Sequence, residues 1–159
     1  MSTPNLNVHV CQFLDRWKTR LVQDLNAIPE DKLNEGLGAN SRTALNIAAE
    51  CGAINQVWIG FFETGFVTFM ATEDEPAFYA KYNTRKLVLG LIEETCLRLT
   101  ELFMALDPAK FAETTDAFRG RTMTYLQLAE FPTVHMCYHD GQLNYIQTLL
   151  GDDAIHWGV

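Results

Sequence analysis

The chain has 159 residues, 48% hydrophobic and 20% charged, with twelve Lys and Arg against twenty Asp and Glu and a formal net charge of −8. That length and apolar share fit one domain spanning residues 1–159 with a sizeable core, which excludes a disordered chain. The absence of any apolar run of about 18 residues excludes a spanning helix, and the acidic balance argues against a nucleic-acid partner and against an anionic membrane surface.

The first residues, Met1 to Asn7, carry neither a basic nor an apolar leader region, so no secretory signal is expected and the setting is read as cytoplasmic. The first predicted helix follows, with Leu6, Val10, Phe13, Leu14, Trp17, Leu21 and Leu25 forming one apolar stripe that Pro29 closes. The second is expected to start from Ser41 as N-cap and to run to Gly65, with Ile47, Ile54, Val57 and Phe61 inward. Residues 66 to 83 read as a crossover loop with room for a short helical turn. The third helix is expected from about Thr84 to Leu106, with Val88, Leu91, Ile92, Leu99, Leu102 and Phe103 inward and Asp107-Pro108 as its stop. Residues 109 to 123, which include Phe118-Arg119-Gly120-Arg121, fit a loop or a small two-stranded ribbon. The fourth helix runs from near Thr124 to Leu150, with Gly151 as its cap and Pro132 marking either the start of its regular part or a kink. Four amphipathic helices with a long crossover predict an all-α four-helix bundle.

Cys11, Cys51, Cys96 and Cys137 form no CxxC pair, and a chain with this much core and no export signal is read as holding them as reduced thiols. The informative residues are polar ones on apolar faces. At ~100° per residue, His139, Gln142, Ile146, Leu128 and Phe131 all fall within about 40° of His135 on the fourth helix. The two histidines share the core stripe one turn apart, a way to present two metal ligands, while Cys137 points away. On the second helix Glu50 falls mid-stripe among Thr43, Ile54, Val57 and Phe61, with Asn46 one turn earlier. A lone carboxylate there is costly to desolvate. Two readings satisfy it: a hydrogen-bonded Glu/His network, or a metal held by Glu50, His135 and His139 with open positions for water or substrate.

The other candidates are bland. His9 sits at a stripe edge, and His156 lies in a tail expected to pack through Trp157. Gly141, costly inside a helix, suggests close approach of a backbone or ligand. Arg119 and Arg121 are solvated charges or loop cations for an anionic substrate. No nucleophile elbow, phosphate-binding glycine loop or paired Glu-x-x-His motif occurs, so a single metal is the expectation.

The run His135-Met-Cys-Tyr-His139-Asp-Gly-Gln142, followed by an apolar stripe and Gly151-Asp152, resembles the last helix of the DinB-like (DinB/YfiT) superfamily, and Ser41 to Trp58 resembles its second helix. The resemblance implies a four-helix bundle, often a homodimer, with one divalent metal, commonly zinc or nickel, held by three histidines. His135 and His139 match two of them, and Glu50 stands where the third histidine would be. A set of two histidines and a carboxylate remains suited to a divalent ion. Asn46, Tyr138 and Gln142 are then the expected neighbours of the site. Some members of this superfamily are thiol-dependent transferases, which implies a metal-dependent thiol S-transferase or hydrolase acting on a small molecule. The alternatives are a non-catalytic bundle with a buried Glu/His network and a stress-related binding module using the crossover loop.

Overall fold

The computed structural model describes residues 5–117 and 120–158. Among the described residues five α-helices carry the fold: α1 (Leu6–Ala27), α2 (Ala44–Thr64), α3 (Glu75–Lys81), α4 (Arg85–Ala105) and α5 (Tyr125–Leu149). A ribbon of β1 (Thr114–Asp116) and β2 (Thr122–Thr124) precedes α5, antiparallel with Thr115 opposite Met123. The expected all-α chain is therefore mostly helical with one small ribbon, and the short turn expected in the crossover is α3. Arg119 and its neighbour Phe118 lie outside the described residues, while Arg121 is exposed beside β2.

The four long helices pack along one another, α1 on α4 and α5, and α2 on α4 and α5. Their shared core contains Leu14, Leu21, Leu45, Trp58, Phe61, Ile92, Leu99 and Phe103, all essentially inaccessible to solvent. Burying such side chains contributes roughly 1.5–3 kcal/mol each, which makes this core the main force holding the helices together. Buried amides add direction to it. Asn7 on α1 donates to the Phe103 and Leu106 carbonyls at the end of α4 (2.6 and 2.8 Å), and Asn55 on α2 donates to Thr95 Oγ1 on α4 at 3.1 Å.

Helix ends follow local chemistry. Thr43, not Ser41, caps α2: its backbone is extended and its Oγ1 accepts the Asn46 N–H at 3.2 Å, whereas Ser41 Oγ donates to Gly38 in the preceding turn. Gly65 ends α2 at φ +82°, a left-handed position that only glycine adopts at little cost. Thr124 and Gln127 form a reciprocal capping box at the start of α5. Gly151 N–H to Thr148 O and Asp152 N–H to Gln147 O close its far end as a Schellman motif. Pro132 lies within α5, not at its start. The capping box starts the helix at Tyr125, and the proline has no amide to give to the interior ladder.

The close approach expected at Gly141 is not there. A Cβ built on Gly141 would meet nothing within 4 Å, so no neighbouring backbone explains it. The close approach is at Gly52 instead, where a Cβ would fall 2.4 Å from Leu91 Cγ across the α2–α4 contact.

Candidate metal centre

α2 and α5 pack side by side, and their polar interruptions meet. One ligand-type atom each from Glu50, His135 and His139 lies within 4.8 Å of the others. Among the described residues this is the one group of three or more His, Cys, Asp or Glu side chains close enough to share an ion. His135 Nε2 is 3.2 Å from His139 Nε2, His139 Nε2 is 3.5 Å from Glu50 Oε2, and His135 Nε2 is 3.9 Å from Glu50 Oε1.

The two histidines are backed differently: His139 has a hydrogen-bond partner on its Nδ1, and His135 has a neighbouring ring. His139 is 2% exposed, and its Nδ1 sits 2.7 Å from Gln142 Oε1. Because the amide oxygen only accepts, Nδ1 carries the proton and Nε2 keeps its lone pair facing the other two groups. The Phe131 ring lies nearly parallel to the His135 ring at 6.5 Å, and Trp58 packs behind Phe131 at 4.9 Å. The Tyr138 ring stands edge-on to His139 at 5.0 Å, with most of its own surface exposed.

Electrostatics keep both imidazoles neutral. Burial pushes His135 down to about 4, and the neighbouring His139 adds to the effect. Burial lowers His139 as well, against the opposing pull of Gln142 and Glu50. Neutral imidazoles are the form that binds metal.

The residues fit a divalent ion. A tetrahedral ion with bonds of about 2.0–2.1 Å spaces its ligand atoms about 3.4 Å apart. The three separations above lie on either side of that value. Two nitrogens and a carboxylate oxygen also form a donor set that suits zinc and its neighbours in the first transition row.

Arg42 is the residue that sequence reasoning missed. Its Nη1 forms an ion pair with Glu50 Oε2, and its Nη2 donates to the Asn46 carbonyl at 3.1 Å. Tyr79 from α3 lies near Arg42 and Glu50, and its hydroxyl is raised above its ordinary range, chiefly by burial. Asn46 therefore reaches the site through its backbone carbonyl and Arg42. Arg42 precedes α2, so no helical wheel places it. The available signal was its charge, one of only twelve cations, just ahead of a carboxylate expected to be buried.

The remaining candidates lie elsewhere. His9 is exposed and stacks on Phe13. His156 pairs with Asp152 at 2.7 Å, and Trp157 packs edge-on against Trp17 and donates to Asp24 Oδ2 at 2.7 Å, fastening the tail to α1. All four cysteines are free, with Cys51 and Cys96 buried.

The sequence profile described as the DinB family matches residues 1–156, nearly the whole chain. The chain belongs to the DinB family. Its resemblance in the last helix is thus part of a match that runs over residues 1–156, and Glu50 is a carboxylate within a DinB-family fold. No curated protein matches it. No described helix is long and apolar enough to cross a membrane.

Proposed function

We propose that this DinB-family chain is a four-helix bundle of the DinB/YfiT type that binds one divalent metal ion, zinc or nickel, through Glu50, His135 and His139. The observation that carries the reading is the convergence of both Nε2 atoms on the Glu50 carboxylate, with the His139 tautomer set by Gln142. The activity proposed is thiol S-transfer or hydrolysis on a small molecule. The ion would supply Lewis-acid polarisation of a thiol or water. The chain's own residues supply the rest: Gln142 holds the proton on His139 Nδ1, Phe131 and Trp58 fix the His135 ring, and Arg42 anchors the Glu50 carboxylate.

A cleft of about 280 Å³ lies beside Glu50, with Ile54, Val57, Phe69, Met70 and Tyr79 among its walls, and gives a small substrate access to this carboxylate. A cytoplasmic setting and a homodimer complete the proposal; light scattering reading twice the chain mass supports the dimer, and a monomer mass removes it.

The deciding experiment is elemental analysis of protein purified without an affinity tag. Close to one zinc or nickel per chain supports the reading. Less than about 0.2 per chain, unchanged after incubation with either ion, leaves the second reading, a non-catalytic Glu/His network. The 3.2 Å separation of the two Nε2 atoms, itself within hydrogen-bond range, favours that second reading.

A further inference from the structure

A second and larger cleft, of about 650 Å³, borders the centre. Arg42 and Gln142 both line it, and these are the side chains that touch Glu50 and His139. Its apolar walls include Ile47, Tyr145 and Ile146, and Ser41 adds a hydroxyl. Gly141 lies on its lining with no side chain, and nothing stands within 4 Å of where a Cβ would be. Among the described residues of its lining, Arg42 is the one charged group.

We infer that this cleft takes a small organic anion, a carboxylate on an apolar stem, with the carboxylate paired to Arg42 beside the metal centre. The inference rests on the proposed metal reading for its position in catalysis, though the anion site itself is testable without a metal. A guanidinium fork matches a carboxylate and holds it more strongly than a neutral donor does. On a chain of net charge −8, an anion needs such a local cation to approach. The apolar walls suit a stem of several methylenes, each contributing about 0.8 kcal/mol when buried.

Charge balance gives the site a gate. With no ion, Glu50 neutralises Arg42, and the pair offers an anion little. A divalent ion between Glu50 and two neutral imidazoles leaves the ensemble with Arg42 net positive by two, so anion binding and metal binding favour each other. Arg42 is then a specificity residue, distinguishing anionic from neutral molecules of the same length.

The test uses octanoate, with octanol as its neutral control, followed by calorimetry and by amide shifts at Gly141 and Tyr145. In metal-free protein, Glu50→Gln frees Arg42 and is expected to bind octanoate at least tenfold more tightly than the native chain. Adding Arg42→Gln to it should abolish that gain and leave octanol binding unchanged. In zinc-loaded native protein, octanoate should bind more tightly than in the metal-free form, and Arg42→Gln should weaken it at least tenfold at equal zinc content. Circular dichroism checks that each variant is folded.

Equal octanoate binding with and without Arg42, or shifts that bypass Gly141 and Tyr145, overturns the inference. Failure of the native chain to take up zinc overturns the metal reading alone, because the metal-free Glu50→Gln comparison still decides the anion site.

Discussion

Gln142 Oε1 stands 2.7 Å from His139 Nδ1, one helical turn along α5, and thereby decides which nitrogen of that imidazole faces Glu50 and His135. The contact sets a tautomer with a neutral amide and brings no extra charge into a buried place. It also explains how a side chain with no role as a ligand can govern the donor set.

Replacing Gln142 with Leu should therefore lower affinity for zinc or nickel by about 10–100-fold without unfolding the chain. Gln142→Glu keeps an acceptor at the same place and should restore most of the loss. Competition against a chromophoric chelator measures both. Equal affinity in the Leu variant would show that His139 needs no orienting partner.

Glu50→Ala should lose the metal and keep its helix content. The carboxylate is partly exposed, and its loss removes an ion pair whose Arg42 partner remains in reach of water. Elemental analysis beside far-UV circular dichroism gives both readings. Metal retained at the native level would show that two histidines suffice or that the third ligand lies elsewhere.

Stability should depend on pH through a second polar cluster. Asp140 and Asp24 are both buried and close enough to influence each other's charge, and Asp24 Oδ2 accepts from Asn144 and Trp157, each at 2.7 Å. Burial, reinforced by the Asp24 partner, raises Asp140 from 3.8 to about 8. A raised folded-state value means stability that is fully present below the unfolded value and lost as pH rises through the folded one. The metal-free protein should accordingly become less stable from about pH 4 to about pH 8 through this group. Asp140→Asn should flatten that dependence and melt higher than the native chain at pH 8. Thermal melts across the range check it; parallel curves for the two proteins would show that the pair does not share a proton.

Gly52→Ala should destabilise the fold despite alanine's preference for helices. The added methyl meets buried Leu91 at 2.4 Å, and overpacking of this kind costs about 1–3 kcal/mol, more than the roughly 1 kcal/mol that alanine gains over glycine. Urea denaturation is the measurement. In a Leu91→Ala background, where the space is free, the same change should become neutral or stabilising.

The helical frame was legible because its signals are periodic and local. The apolar stripes of α1, α2, α4 and α5 predict which faces are buried, and Val10, Leu14, Leu21, Val88, Ile92 and Leu99 are buried as expected. Glu50, His135 and His139 were legible for the same reason: each is a polar residue on an apolar face. What escaped was set by contacts between elements. Arg42 meets Glu50 from outside the helix, and Gly52 is small because Leu91 of α4 lies against it. Neither relation has a period that a single chain displays. Ser41 was misplaced as a cap because two hydroxyl residues stand within three positions, and only the backbone decides which one reaches the first free amide.

His139 and Asp140 are consecutive, yet one faces Glu50 on α2 and the other faces Asp24 on α1. Neighbouring side chains on a helix diverge by about 100°, so these two hold α5 from two directions. A helix gripped only by hydrophobic contacts can roll slightly about its axis, since those contacts have little directionality. Here a roll in either sense would draw His139 away from Glu50, or Asp140, with the Asn144–Asp24 bond one turn on, away from α1. The azimuth of α5, and with it the aim of both imidazoles, is locked by groups that lie on opposite sides of the same peptide bond.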